Sequence, residues 1–166
     1  MLPERLLALD HAGLRLARTR GHTPALERAA RAYSRLGEHA ACWFVLGAAG
    51  AALDRERRPR WVRGIEAVAV AYGVNYAVKV AVRRRRPELS DLPQLSPTVS
   101  RLSFPSAHAT TSFAAARAFS GLVPAGALYG AAGAFAASRP YLGVHYPSDV
   151  VAGALLGSVI GGRAAR

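Results

Sequence analysis

Long stretches without a charged residue alternate with dense arginine clusters in this sequence, and this alternation limits the folds open to it. The uncharged stretches comprise residues 39–53, 67–78, 118–138 and 150–162. Arginine clusters at 55–63 and 83–86 separate the first three of them. Apolar segments flanked by cations are typical of transmembrane helices, whose ends lie at the membrane interface. The pattern therefore favours a helical membrane bundle.

The composition narrows the classes of protein further. Lys and Arg number 22 against 10 Asp and Glu, a formal net charge of +12, yet 51% of the residues are hydrophobic. That apolar share excludes a disordered basic tail, and the single cysteine, Cys42, excludes a disulfide scaffold. A membrane protein and a nucleic-acid binder remain. A mean hydropathy of only +0.12 also leaves open a soluble, alanine-rich bundle.

The apolar stretches and their turn signals predict an all-α integral membrane bundle of about five short transmembrane helices. The predicted helices cover residues 39–53, 61–85, 106–120, 124–138 and 148–163. Several are shorter than the roughly 20 residues of an ordinary span, but their Ala and Gly content suits close helix packing. The segment 87–105 contains four prolines and is predicted to be a long irregular loop.

The first 38 residues have an amphipathic pattern instead. Apolar or small residues recur at helical spacing at Leu2, Leu6, Leu9, Gly13 and Leu16. Charged residues at 4, 5 and 10 interrupt any signal-peptide core. Thr23-Pro24 is typical of a helix start and Gly37 of a helix end. We expect one or two amphipathic helices on the membrane surface over 1–38, with 39–166 as the transmembrane core of a single domain, 1–166.

A first polar cluster, Lys79 to Arg86-Pro87, lies where the second predicted helix ends. On a helix, positions 79, 83 and 86 share one face, which turns Arg84 and Arg85 away from it. Arginines at a helix end can hold a phosphate with paired donors. The alternative is a positive-inside anchor or a patch for lipid headgroups.

A second cluster, Ser103 to His108, precedes an apolar run. Pro105-Ser106 is typical of a helix start, where free backbone N–H groups favour an anion. His108 falls in that first turn. A single histidine at this place is also compatible with an interfacial residue that has no catalytic role.

A third cluster contains Ser138-Arg139 and, further along, His145 and Asp149. The last two residues are four apart at a predicted helix start. A carboxylate that contacts one imidazole nitrogen fixes the tautomer and makes the other nitrogen a better nucleophile or base.

The predicted topology brings the three clusters together. Residues 109–138 allow two short crossings of about 22 Å each, which return the chain to the same membrane face. The residues expected to converge there are Lys79, Arg86, Ser106, His108, Arg139, His145 and Asp149. Two histidines, one aspartate and several cations suit phosphoryl transfer through a histidine.

The three motifs together resemble the type 2 phosphatidic acid phosphatase (PAP2) superfamily. The patterns K-x6-R-P, P-S-x-H and S-R-x5-H-x3-D occur in the family's order over residues 79–149. Two features differ from the family: Ala107 replaces the usual glycine, and we find five spans where membrane members commonly have six. An alanine at 107 would be strained if the turn required a positive φ.

The resemblance implies a role for each residue. His145 would attack phosphorus to form a phosphohistidine, and Asp149 would orient it. His108 would protonate the leaving group and then activate water. The phosphoryl oxygens would be held by Lys79, Arg86, Ser106, Arg139 and the Ala107 N–H. No metal or cofactor is expected, and the residues agree: after residue 66 the acids are only Glu88, Asp91 and Asp149.

The substrate implied is a phosphate monoester or diphosphate of a polyprenyl or glycerol lipid. Small Arg-rich, Ala-rich members with Pro-Ser-Ala-His look like actinobacterial cell-wall enzymes, which indicates decaprenylphosphoryl-5-phosphoribose as substrate. Undecaprenyl diphosphate, phosphatidic acid and phosphatidylglycerophosphate remain alternatives. Two other classes stay open: an Arg-rich membrane-surface or nucleic-acid binder, and a metal hydrolase that uses His108, His145 and Asp149 as ligands.

The cations also indicate a location. We expect a multi-pass protein of the plasma membrane with a site at one interface, a lipid phosphate and the bilayer as partners, and no bound nucleic acid. Most cations fall on the face of the site, which favours the cytoplasmic side by the positive-inside rule. The oligomeric state is not indicated by any pattern in the sequence.

Overall fold

Seven α-helices make up the computed structural model, which describes residues 4–164. They are α1 (Glu4–Thr19), α2 (Pro24–Leu36), α3 (Ala41–Leu53), α4 (Arg58–Val82), α5 (Ala107–Phe119), α6 (Ala125–Tyr141) and α7 (Pro147–Ala164). A single 3-10 turn, Glu38–Ala40, joins α2 to α3. The all-α prediction is confirmed, and the ends of α3 to α7 fall within three residues of the predicted ones.

Local capping explains where the helices begin. Thr23 precedes α2 and its Oγ1 accepts a hydrogen bond from Leu26 N at 3.2 Å, with Pro24 in the first turn. Ser106 has the same role before α5, where its Oγ accepts from Ala109 N at 3.5 Å. Both starts follow from the preference of hydroxyl side chains for the residue before a helix.

The end of α4 differs from the prediction. Arg83 has a φ of 56° and its N–H donates to Lys79 O at 3.0 Å, which closes the helix at Val82. Arg84 to Arg86 are therefore extended and hydrogen-bond to residues 101–103. The prediction that Lys79, Arg83 and Arg86 share a helical face is wrong, and Arg83 is exposed.

The central helix is α5, which packs against α4, α6 and α7. Most of its side chains are small and buried, so neighbouring helices can approach closely. At its far end Phe119 packs on Trp61, and the aromatic core continues through Trp43 and Phe135.

The contact between α7 and α5 depends on glycine. A Cβ at Gly157 would lie 2.1 Å from Thr110 O, and one at Gly161 would lie 2.3 Å from Ala114 O. The opposite face of α7 exposes Val151, Leu155 and Val159. Small residues inward and large apolar residues outward are typical of a helix whose outer face meets lipid.

Length and hydropathy identify fewer spans than the sequence predicted. Within residues 4–164, α4 is long and apolar enough to cross a bilayer, and the pair Pro24–Leu36 and Glu38–Leu53, bent by 47°, would add a second as a broken span. The expected number of five transmembrane helices therefore stays a prediction.

Helix α1 buries its polar face. Asp10, Leu14 and Arg18 are buried, whereas Leu9 and Leu16 are exposed, and Leu2 lies outside the described residues. Arg18 donates to Tyr141 O at 3.3 Å and to Pro93 O at 2.8 Å. The exposed leucines that suggested an amphipathic helix therefore do not contact the bundle, and polar side chains such as Arg18 join α1 to it.

Candidate active site

Both predicted histidines and three predicted cations converge on one cavity at an end of the bundle. Helices α4 and α6 end there, and α5 and α7 begin there. The predicted residues that line the cavity are Lys79, Arg86, Ala107, His108, Arg139 and His145. The other two, Ser106 and Asp149, are fully buried beneath it.

His145 lies between a carboxylate and a guanidinium. Its Nδ1 is 3.4 Å from Asp149 Oδ2, and its Nε2 is 3.0 Å from Arg86 Nη1. A guanidinium only donates, so Nε2 is the unprotonated nitrogen and Nδ1 holds the proton toward Asp149. At 3.4 Å Nδ1 has no hydrogen-bond partner among the described residues. The Nε2 lone pair therefore accepts from Arg86 in this structure, and it can act as a nucleophile once that donor turns away.

Burial and nearby cations keep this ring neutral. Burial, with Arg86 and Arg139 close by, holds the pKa of His145 well below its usual value. Burial also lowers the pKa of Arg86 to about 10, against the attraction of Asp149, so the guanidinium stays charged at neutral pH. Arg86 is held by Val144 O and Ser100 O, each at 2.7 Å.

Arg139 is a buried cation with an unused donor. It is 5% exposed, its Nη1 donates to Ser34 Oγ, and its Nε has no hydrogen-bond partner among the described residues. A buried donor on a charged group is costly unless it is paired. An anion in the cavity would supply that partner.

Lys79 directs its ammonium at the loop before α5. Its Nζ donates to Leu102 O, Ser103 O and Pro105 O at 3.3, 3.2 and 3.0 Å. Asn75, one turn earlier, donates to Pro105 O at 3.3 Å and Thr110 Oγ1 at 2.8 Å. Together these side chains fix the loop that leads into the first turn of α5, and Lys79 adds a positive charge to the cavity wall.

His108 has its tautomer set by the second helix. Its Nε2 is 2.9 Å from Ser34 O. A carbonyl only accepts, so Nε2 holds a proton and Nδ1 is the atom left to exchange one. Ser34 therefore contacts both His108 and Arg139.

Ala107 fits its position without strain. It is the first residue of α5 and is not among the described residues with positive φ. Its N–H belongs to the first turn, where backbone donors have no partner within the helix. The alanine can therefore present this N–H as a glycine would.

The mouth of the cavity combines polar and apolar groups. Glu38, His39 and Tyr72 line one side, with His39 Nδ1 2.9 Å from Tyr72 OH. Tyr76 and Val99 also line it and are 65% and 86% exposed. Hydrogen-bonding groups and an apolar rim thus meet at the opening.

Several residues near the site were not predicted from the sequence. They are Asp10, Ser34, Asn75, Arg84 and Ser103, all buried or nearly so. The sequence does contain a signal for Asp10, because Asp10, Leu14 and Arg18 are spaced four residues apart and so lie on one face of α1. Arg84 was assigned away from the phosphate site, and the structure instead places it 2.8 Å from Asp149 Oδ1.

The described residues offer no metal centre. Across 4–164 no three His, Cys, Asp or Glu side chains converge in a way that could hold an ion. The candidate ligands His108, His145 and Asp149 are engaged in other contacts, with Ser34 O, Arg86 and Arg84 respectively.

Comparison with known proteins gives a family and named relatives. A sequence model described as PAP2 superfamily matches residues 60–166. Decaprenylphosphoryl-5-phosphoribose phosphatase from Mycolicibacterium smegmatis (strain ATCC 700084 / mc(2)155) is 44% identical over 132 residues, which cover 78% of this chain and 72% of that protein. The protein of the same name from Mycobacterium tuberculosis (strain CDC 1551 / Oshkosh) is 38% identical over 147 residues, 83% of this chain and 78% of that one.

Two solved structures share the fold. The crystal structure of Aquifex aeolicus LpxE has a TM-score of 0.78 and 25% identity, and the match covers 91% of each chain. A transmembrane PAP2 type phosphatidylglycerolphosphate phosphatase from Bacillus subtilis has a TM-score of 0.78 and 21% identity, with 98% of this chain and 86% of that chain covered.

Proposed function

We propose that this chain, which belongs to the PAP2 superfamily, is a membrane phosphatase that removes the 5-phosphate of decaprenylphosphoryl-5-phosphoribose. The family and the names of its relatives confirm the predictions of a PAP2 protein and of a lipid phosphatase. The substrate is proposed for this chain because relatives at 38 and 44% identity bear that name. The histidine mechanism is inferred from the contacts of His145 and His108.

The observation that supports the function best is the excess of positive charge around His145. Lys79, Arg86 and Arg139 line the cavity with the two histidines, and Glu38 is the single acid in that lining. Buried cations without counter-charges cost several kcal/mol each. Part of this free-energy cost comes from Arg139 Nε, a buried donor with no hydrogen-bond partner among the described residues. A phosphate dianion in the cavity would offset it.

The first half-reaction transfers the phosphoryl group to His145. Its Nε2 lone pair forms the N–P bond while the bond from phosphorus to the ribose 5-oxygen breaks. Arg86, which donates to Nε2 in this structure, must turn this donor to a phosphoryl oxygen. His108, protonated on Nδ1 when the phosphate is bound, gives that proton to the departing alkoxide, and the dephosphorylated lipid leaves.

The second half-reaction releases phosphate. Water attacks phosphorus, His108 takes the proton from that water, and the N–P bond breaks to give inorganic phosphate and free His145. Arg86, Arg139, Lys79 and the N–H of Ala107 stabilise the charge on the equatorial oxygens in both steps. Ser106 supports the first turn of α5 as its cap.

The mouth of the cavity suits a sugar attached to a lipid. The Glu38 carboxylate can accept hydrogen bonds from ribose hydroxyls, as acidic side chains do in nucleotide sites. Tyr76 and Val99 offer an apolar rim for the polyprenyl chain. Undecaprenyl diphosphate, phosphatidic acid and phosphatidylglycerophosphate are the competing substrates.

The proposal includes a place in the plasma membrane. Helices α3 to α7 would form the membrane-spanning core, and α1 and α2 would lie on the membrane surface, within one domain. Val151, Leu155 and Val159 on the outside of α7 support contact with lipid. The positive-inside rule favours a site on the cytoplasmic side.

Phosphate release from a panel of lipids in detergent tests the function. We expect decaprenylphosphoryl-5-phosphoribose to give the highest kcat/KM, without added metal, and the variant His145→Ala to give none. A higher kcat/KM on undecaprenyl diphosphate or a glycerolipid would assign that lipid as the substrate instead. No phosphate release from any lipid, together with salt-sensitive binding to nucleic acid or anionic vesicles, would show that the protein is a binding protein and not an enzyme.

A further inference from the structure

The N-terminal helix reaches the nucleophile through one arginine. Arg84 Nη1 is 2.8 Å from Asp149 Oδ1, and Arg84 Nη2 is 2.6 Å from Asp10 Oδ2. Its guanidinium also lies 4.1 Å from the ring centroid of Tyr146. A single cation therefore joins the carboxylate beside His145 to a carboxylate from α1, which lies outside the residues that the family model matches.

Asp10 is also fixed to the start of α7. Its Oδ1 accepts from Ser148 N at 2.9 Å and its Oδ2 accepts from Ser148 Oγ at 2.5 Å. Burial alone would raise the pKa of Asp10, but the hydrogen bonds from Ser148 and Arg84 outweigh it and lower that pKa. A helix N-terminus favours a carboxylate as well. Asp10 is therefore a buried, ionised group.

The charges in this group matter to the reaction. The side chains of Arg84, Asp10 and Asp149 are 11%, 2% and 0% exposed, so solvent screens them weakly. Asp149 and Arg84 alone would form a neutral pair. With Asp10 the group has a net charge of −1. When His145 is phosphorylated on Nε2 and keeps its proton on Nδ1, its ring becomes a cation that needs this negative charge.

We propose that Asp10 and Arg84 are positioning residues for phosphoryl transfer, in which Arg84 holds Asp149 toward His145 and Asp10 compensates the charge of Arg84. Without Asp10, the guanidinium attracts Asp149 alone and cancels the charge that the phosphorylated ring requires. The proposal rests on the proposed function insofar as His145 is the nucleophile. It does not depend on which lipid is the substrate.

The test is the variant Asp10→Asn in the full-length protein in detergent, with Asp91→Asn as matched control. Both changes remove one carboxylate that pairs with an arginine and involve α1. The control pair, Arg15 and Asp91, is about half exposed at a distance of 2.9 Å. The readouts are the burst of p-nitrophenolate from p-nitrophenyl phosphate, kcat and KM, vanadate affinity, and thermal unfolding.

We expect Asp10→Asn to slow the burst by about 10–100-fold, the range found when a residue that orients a metal-ligating side chain is replaced. KM should change by less than about threefold, since the cations lining the cavity are intact. Vanadate, which binds the histidine nitrogen as phosphorus does, should bind more weakly. Asp91→Asn should match the wild type in all of these, and Asp10→Glu should recover part of the burst.

Three results overturn the proposal. One is a wild-type burst rate in Asp10→Asn. Another is an activity loss that equals the loss of folded protein, which would make Asp10 only a tether for α1. The third is a rise in KM with kcat unchanged. If the wild type releases no phosphate from the ribose lipid but shows a burst or binds vanadate, the substrate is wrong while this proposal is still decided by those two readouts.

Discussion

Replacing Arg84 by glutamine should strongly destabilise the protein, because its guanidinium is the shared counter-ion of two buried carboxylates. Asp10 and Asp149 are 2% and 0% exposed and lie 2.6 and 2.8 Å from it. Removal of one partner from a buried ion pair costs about 3–5 kcal/mol. For a chain of this length each kcal/mol lowers the melting temperature by roughly 2–4 °C, so we expect a fall of about 6–20 °C.

The loss of stability in Arg84→Gln, relative to the wild type, should also increase with pH. In the wild type the lowered pKa of Asp10 adds stability above the unfolded value of 3.8, and this is lost as the pH falls. In Arg84→Gln burial and the Ser148 hydrogen bonds remain but the hydrogen bond and charge of Arg84 are lost, so the pKa of Asp10 is higher than in the wild type and a protonated carboxyl is better tolerated. The difference from the wild type should therefore be small near pH 4 and grow toward about pH 7.

Thermal unfolding in detergent micelles measures both effects, and Arg85→Gln is the matched control. Arg85 is the next residue in the same arginine run and is exposed, so its replacement should change stability by less than about 0.5 kcal/mol. If Arg84→Gln unfolds within a few degrees of Arg85→Gln at pH 7, or if its loss of stability is the same at pH 4, Arg84 is not the counter-ion on which the two buried carboxylates depend.

Three further predictions concern the reacting groups. His145→Ala should retain less than about 1% of turnover in a folded, extractable protein, since a covalent nucleophile is worth several orders of magnitude; a higher residual rate would contradict its role. His108→Ala should slow the burst about 10²–10⁴-fold on the ribose lipid and far less on p-nitrophenyl phosphate, whose leaving group needs no proton; an equal loss on both would assign His108 to phosphate positioning. Ser34→Ala frees Arg139 Nη1 from its side-chain partner and should raise KM more than it lowers kcat; the reverse split would show that this hydrogen bond supports the chemical step and not phosphate binding.

Local signals account for what the sequence predicted well. The starts of α2 and α5 depend on Thr23 and Ser106, each of which caps its own first turn. The three motifs lie at helix ends that meet at one end of the bundle. Because successive helices run in alternating directions, the topology alone was enough to bring His108, Arg139 and His145 together. Neither inference required knowledge of contacts between distant residues.

The end of α4 was missed because its stop signal is weak. The predicted helix continues to residue 85, but Arg83 adopts a left-handed conformation without the glycine that usually marks one. The pairing of Arg86 N with Arg101 O and of Ser103 N with Arg84 O supports this earlier end. Such pairing across the 87–105 loop leaves no local pattern. As a result Arg84 contacts Asp149, whereas a continued helix would have directed it away from the phosphate site.

The contributions of α1 and α2 could not be predicted for a physical reason. In a bundle whose outer face is apolar, burial of leucine gives little preference for protein over lipid, so exposed Leu9 and Leu16 do not identify the contact face. Hydrogen bonds and ion pairs of Asp10, Arg18 and Ser34 make the specific contacts instead. An acid in the middle of a leucine-rich helix, such as Asp10 in α1, is therefore the residue to examine first, because burying an ionised carboxylate requires a partner. Through Arg84, the proposed site therefore extends beyond the motifs at 79–149 to Asp10 in α1.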